Sequence, residues 1–362
     1  MIVGQAPAPP SVASRVPHRV RAAHSGGPVE TNAQATGAQP GPLVHRTVAT
    51  PAGRTHLVEQ GTGPLVLLVH GFPESWYSWR HQLPALAAAG YRAVAIDVRG
   101  YGRSSRPADP AAYRMTELVA DCVAVVHALG EGEAVVVGHD WGSRIAADAV
   151  LTRPDVFRAV ALLSVPYEPH GGPRPSEMFA RMGGDDEFYV SYFQQPGRAE
   201  AEIEPDVRGW LAGLYAALSA DTMPGPGEPD PHFVAPGGRM RDRFPAAGRL
   251  PSWLTEADLD VYAGEFEQTG LTGALNRYRN MDRDWVDLAA HEGAPITQPS
   301  LFLGGGLDAS TTWLTDAIEA YPATLPGLRA SHILDGCGHW LQQERPEETN
   351  RLLTEWLTGL PS

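Results

Sequence analysis

The chain has 362 residues, 43% hydrophobic and 19% charged, which suits one large α/β domain with an insertion, or two domains. Its formal net charge of −14 disfavours nucleic acid and anionic membrane as partners, and no apolar run approaches the roughly 18 residues a membrane helix needs. The two cysteines, Cys122 and Cys337, are too few for a disulfide framework and point to a reducing, cytoplasmic setting.

Residues 1–42 are rich in Pro, Gly, Ala and Ser without apolar periodicity, so a disordered tail is expected, made partly basic by Arg15, Arg19 and Arg21. Alternation through Leu43–Thr50 and Arg54–Gln60 around Pro51-Ala52-Gly53 reads as a hairpin. The solid apolar run Leu65–Val69 reads as a strand buried on both faces, ending in His70-Gly71-Phe72-Pro73. A helix through His81–Ala89, a strand at Arg92–Val98 and a helix at Met115–Leu129 follow. Val135-Val136-Val137 then runs into Gly138-His139-Asp140-Trp141-Gly142 and a helix-forming stretch, and Ala159–Val165 is the next strand. Strands alternating with helices predict a mostly parallel sheet covered on both faces, residues 43–166 forming its first part.

From 167 to 295 the alternation stops. Pro, Gly, acids and aromatics dominate, with helical pieces at Glu204–Ala220 and Glu256–Gln268 and no strong strand signal. A mainly helical cap over the C-terminal edge of the sheet is expected, where open α/β sheets bind ligands. The sheet resumes over 296–362, with strands at Ser300–Gly304 and Ala330–Leu334 and a last helix at Glu347–Leu357.

The stretch around Asp140 has the form G-x-D-x-G, which resembles the nucleophile elbow of α/β-hydrolases with aspartate in place of serine. Asp also suits a helix N-cap, so the motif alone leaves both readings open. Two further residues decide between them. Asp308 follows the strand at Leu301-Phe302-Leu303, and His339 follows the next strand in Cys337-Gly338-His339-Trp340. The order nucleophile, acid, histidine, each at the C-terminal end of a strand, matches the triad of that fold.

A carboxylate is anionic at neutral pH and can displace a leaving group from saturated carbon, giving an alkyl ester of Asp140. His339 would then activate water against the ester carbonyl, Asp308 would hold the imidazole, and the backbone N–H groups of Phe72 and Trp141 would receive the oxyanion. An epoxide leaving as alkoxide needs an acid, and a phenol stays protonated at neutral pH. The cap supplies phenols in Tyr189-x-x-Tyr192-Phe193-Gln194-x-Pro196-Gly197 and in Asn276-Arg277-Tyr278-Arg279-Asn280-Met281. No His/Asp/Glu cluster has metal-ligand spacing, so no metal is expected.

With these motifs in hand, the chain resembles the soluble and microbial epoxide hydrolases of α/β-hydrolase fold from about residue 43 to the C-terminus. The resemblance implies hydrolysis of a small-molecule epoxide to a vicinal diol without cofactor. It also implies Tyr189 and Tyr278 as ring-opening acids, with Tyr192 a competitor for the first role, and a substrate pocket including Phe72, Trp141, Tyr192 and Trp340. Larger relatives carry an N-terminal phosphatase domain, for which residues 1–42 are too short. A monomer or homodimer is expected. The nearest rival is a haloalkane or haloacid dehalogenase with the same nucleophile, although Phe72 offers no side-chain donor to halide. A non-catalytic receptor on this fold is a further alternative, and Ser143 lies beyond the elbow, which disfavours a serine esterase.

Overall fold

A computed structural model describes residues 41–245 and 249–361. The expected tail falls outside them except for Gly41 and Pro42, which are exposed. Eight strands form one sheet: β1 (Val44–Thr50), β2 (Gly53–Gln60), β3 (Leu65–Val69), β4 (Arg92–Ile96), β5 (Ala134–His139), β6 (Phe157–Leu163), β7 (Ser300–Gly305) and β8 (Leu328–Leu334). Their order is β1-β2-β4-β3-β5-β6-β7-β8. The β1–β2 and β2–β4 pairs are antiparallel, and every pairing from β4 to β8 is parallel.

The apolar runs become strands because both of their faces are covered. Leu65, Leu67 and Val69 of β3 pack into one core with Leu118 and Cys122 of helix α1 (Met115–Ala128) and Ile145 and Val150 of helix α2 (Trp141–Thr152). Val66 and Leu68, one residue out of phase, point to the opposite core with Leu83 and Leu86 and with Leu353 and Trp356 of the last helix, Pro346–Thr358. Each fully buried side chain of this kind contributes about 1.5–3 kcal/mol.

Strand register sets up the site. Val69 pairs with Gly138, His139 with Leu163, and Leu163 with Leu303, so the chain leaves β3, β5, β6 and β7 at one level. Two expected strands run shorter at this edge. β4 stops at Ile96 because the Asp97 carboxylate turns to the Trp76 N–H and His56 Nδ1. β6 stops at Leu163 rather than Val165 because Ser164 takes φ +72°.

Among the described residues, nothing between Leu163 and Ser300 joins this sheet. That segment carries helices at Pro175–Gly183, Val207–Ala217 and Glu256–Thr269. Asp206 caps the second, which starts three residues later than its apolar pattern suggests. Thr255 and Asp258 form a capping box on the third. It also holds a two-residue antiparallel ladder, Glu187–Phe188 against Phe233–Val234, too short to leave an alternation in sequence.

Candidate active site

Asp140 follows β5 with φ +53° and ψ −121°, outside the regions an L-residue favours, and its side chain makes no helix-cap bond. Two glycines permit this conformation. A Cβ on Gly138 would collide with the Gly142 carbonyl, and one on Gly142 with the Val69 carbonyl. Strained backbone of this kind concentrates where a side chain must be presented to a ligand. Phe72 N–H donates to Asp140 Oδ1 at 2.8 Å, and the Trp141 N–H also bonds the carboxylate.

His339 stands opposite the carboxylate. Its Nε2 is 3.8 Å from Asp140 Oδ2, and its Nδ1 is 3.1 Å from Asp308 Oδ1. Nδ1–H therefore points at Asp308, and Nε2 faces Asp140. Asp308 also caps the short helix Ala309–Trp313 by accepting from Ser310 N–H at 3.1 Å. The capping and the histidine-orienting readings of this residue both describe its contacts.

The three charges set one another's protonation. Burial would lower the His339 pKa, but the charge and hydrogen bond of Asp308 and the charge of Asp140 raise it to about 9. Burial pushes the Asp140 carboxyl up, countered in part by His339, His139 and the two N–H bonds. Burial also pushes Asp308 up, but His339, Ser164 and Ser310 outweigh it and hold its carboxyl below the ordinary range.

The family model for the α/β hydrolase fold matches residues 64–346. Epoxide hydrolase B of Mycobacterium tuberculosis is 44% identical over 88% of this chain and 99% of its own length. An epoxide hydrolase from an endophytic Streptomyces superposes with a TM-score of 0.85 at 73% identity, over 88% of this chain and 96% of that one. Epoxide hydrolase A of Mycobacterium thermoresistibile gives 0.83 at 43%, over 88% and 99%. The chain belongs to the epoxide hydrolase family of α/β hydrolases.

In this epoxide hydrolase family member a cavity of about 650 Å³ opens over Asp140. Asp140, Trp141, Phe72 and His339 line it together with Tyr189 and Tyr278. The two phenol rings lie 6.2 Å apart, and Tyr278 packs edge-on against Phe72 and Trp141 at 5.4 and 5.1 Å. Burial, and then for Tyr189 the Asp140 charge and for Tyr278 its neighbour Tyr189, push both phenols well above their ordinary pKa, so both stay protonated. The surrounding motif residues hold the two segments together. Gln194 Nε2 donates to the Tyr278 carbonyl at 2.9 Å, Arg279 reaches the Phe193 carbonyl, and Asn280 bonds the Pro110 carbonyl of the core. Outward, the cavity passes Phe179, Met182, Trp285 and Trp313.

Two residues expected in the pocket are not in its wall. Tyr192 is buried with its hydroxyl donating to Glu202 and the Arg198 guanidinium 4.0 Å over its ring, so its phenol is committed elsewhere. Trp340 is fully buried behind His339, ring to ring at 4.5 Å, and donates from Nε1 to the Tyr215 carbonyl. It supports the histidine from outside the cavity.

Sequence reasoning missed three neighbours of Asp140, Asp308 and His339. Ser164 Oγ donates to Asp308 Oδ2 at 2.6 Å and lies 3.1 Å from His339 Nδ1. Its one signal is a polar residue directly after the apolar run of β6. His139 and Glu74 are both fully buried and joined at 2.8 Å, and Glu74 also accepts from Gly71 N–H, Gln342 and Gln343. Their proximity depends on β3 and β5 being neighbours. Among the described residues no group of His, Cys, Asp and Glu is gathered to hold a metal ion, and no helix is long and apolar enough to cross a membrane.

Proposed function

We propose that this enzyme converts an epoxide and water to a vicinal diol through an ester on Asp140. The observation that carries the reading is the arrangement of one cavity: Asp140 and His339 line it, and so do Tyr189 and Tyr278. Asp140 Oδ1 is occupied by the Phe72 N–H, so Oδ2 is the attacking oxygen. A new C–Oδ2 bond forms as the epoxide C–O bond breaks, and the alkoxide takes a proton from Tyr189 or Tyr278.

Alkylation removes the Asp140 charge that helps hold the proton on His339. That proton passes to the tyrosinate, and neutral Nε2 becomes a base. It takes a proton from water as the water oxygen adds to the ester carbonyl. The oxyanion on Oδ1 is met by the N–H groups of Phe72 and Trp141, each worth about 10²–10³ in rate. Collapse releases the diol and restores the resting pair, Asp140 carboxylate and His339 imidazolium. Asp308 orients the imidazole throughout. The cap (167–295), set between the two parts of the core (43–166 and 296–362), supplies the tyrosines, and the scheme uses no cofactor or metal.

All of these groups come from one chain, which suits a monomer or a homodimer of independent sites. Cys122 and Cys337 are free and buried, which supports a cytoplasmic setting. Incubation with styrene oxide and with 1-bromobutane tests the reading against a dehalogenase. Styrene diol without bromide is expected, and bromide release without diol would overturn the assignment.

A further inference from the structure

Ser164 is the first residue after β6, and its backbone is held in an unusual form. Val165 N–H donates to the Leu163 carbonyl at 3.0 Å, the i→i+2 bond of a γ-turn, and Ser164 between them has φ +72°. That sign of φ belongs to the rare, strained form of the turn. Neighbours on three sides hold it. Ser164 N–H donates to the Leu303 carbonyl of β7 at 2.8 Å. Its carbonyl accepts from Thr311 Oγ1 at 3.3 Å, and the Val165 carbonyl accepts from Ser143 Oγ of α2 at 2.7 Å. Glycine would take this conformation freely. A hydroxyl stands there instead, fully buried, and strain of this kind points to a role for the side chain.

The hydroxyl closes a ring of three groups. Ser164 Oγ is 2.6 Å from Asp308 Oδ2 and 3.1 Å from His339 Nδ1, while that Nδ1 is 3.1 Å from Asp308 Oδ1. The Asp308 carboxyl is held below its ordinary range by His339 and Ser164 and so has no proton to give. The single Ser164 proton therefore goes to Oδ2, and toward His339 the oxygen can only accept. His339 Nδ1 is thus equally distant from two acceptors, Ser164 Oγ and Asp308 Oδ1. Oδ1 accepts from Ser310 N–H as well, whereas the donor to Oδ2 is Ser164. Removing Oγ leaves a buried carboxylate oxygen unmatched and frees both the carboxylate and the imidazole to turn.

We propose that Ser164 is a positioning residue, whose hydroxyl fixes the Asp308 carboxylate and the His339 imidazole in the geometry that ester hydrolysis needs. The inference rests on the proposed function, in which His339 acts as a base only in the second step. Ring opening draws on Asp140, Tyr189 and Tyr278, whereas the Ser164 hydroxyl bonds Asp308 and His339. Loss of the hydroxyl therefore slows the second step and spares the first.

Two variants separate the hydroxyl from the strain. Ser164→Gly removes both, and Ser164→Ala removes the hydroxyl and keeps the strain. Quenched time courses with styrene oxide, read by mass spectrometry of the Asp140 peptide, give each step its own rate. Ester hydrolysis should slow by about ten- to a hundred-fold in both variants, as for one lost hydrogen bond to a charged group. Ring opening should keep its rate, so ester accumulates on Asp140. Ser164→Ala should melt below Ser164→Gly although the two share the kinetic loss. In an Asp308→Ala background Ser164→Gly should cost nothing further, because the group it positions is gone. Unchanged hydrolysis in Ser164→Gly overturns the inference, as does an equal slowing of both steps or a full further loss beside Asp308→Ala. Ser164→Gly decides the kinetics alone should the alanine variant not fold. Failure of any ester to form on Asp140, in the unaltered enzyme and in His339→Gln, defeats the underlying two-step reading and this one with it.

Discussion

His139 Nε2 donates to the main-chain carbonyl of His339 at 2.8 Å, tying the turn at Asp140 to the loop that carries His339. Its Nδ1 meets Glu74 Oε2, also at 2.8 Å. Both partners are acceptors, so Glu74 holds His139 beside Asp140, where it opposes the rise that burial imposes on that carboxyl. Removing one partner of such a buried pair is expensive. Glu74→Gln should lower the unfolding free energy by about 3 kcal/mol and raise the Asp140 pKa seen in kcat/KM. Urea denaturation and a pH–rate profile measure the two. An unchanged midpoint together with an unchanged profile would mean that the pair does not hold the elbow.

His339→Gln should leave ring opening intact and block ester hydrolysis. Steady diol production should fall by about 10²–10⁴. The peptide containing Asp140 should gain the mass of the substrate, visible by mass spectrometry after brief exposure to styrene oxide. A variant that loses turnover without becoming labelled would count against a two-step path.

The tyrosines separate chemistry from binding. Tyr189→Phe combined with Tyr278→Phe keeps both rings and their edge-on contacts and removes both acids, so kcat should drop by about 10²–10⁴ while substrate still binds. Tyr192→Phe serves as the comparison, since its hydroxyl faces Glu202 and it does not line the cavity. Its kinetics should stay near those of the unaltered enzyme. Undiminished turnover in the double variant would remove both residues from the acid role.

The His339 pKa of about 9 lies above the ordinary 6.5, so the folded protein binds that proton more tightly than the unfolded chain. The resulting stabilisation is complete below about pH 6.5 and disappears as pH rises toward about 9. Thermal melts of the unaltered protein and of His339→Gln should therefore converge across that interval. Alkylation neutralises Asp140, one of the charges raising His339, so kcat limited by ester hydrolysis should titrate below about 9. A stability gap that widens with pH would contradict this sign.

Much of the site is legible in the chain because it lies in short contiguous motifs. Gly138 and Gly142 announce a close approach around Asp140, and Asp308 and His339 each follow an apolar run directly. Elements that depend on packing partners are less legible. Ser164 ends β6 through a left-handed backbone conformation that no residue type announces. Tyr192 and Tyr189 sit one helical turn apart in the same motif, and only the position of Glu202 separates their roles. Trp340 follows His339 in sequence yet turns its ring into the core. Arg277 reads in sequence as a flank of Tyr278, and its place over Trp141 requires the cap to be folded onto the sheet.

The central claim is that Asp140 is transiently esterified, and isotope transfer from water tests it most directly. With enzyme in excess over epoxide in heavy-oxygen water, the first diol should carry oxygen from Asp140 and remain unlabelled, while the Asp140 carboxylate acquires the isotope. Labelled diol from that first turnover, with an unlabelled Asp140, would mean that water opens the ring directly.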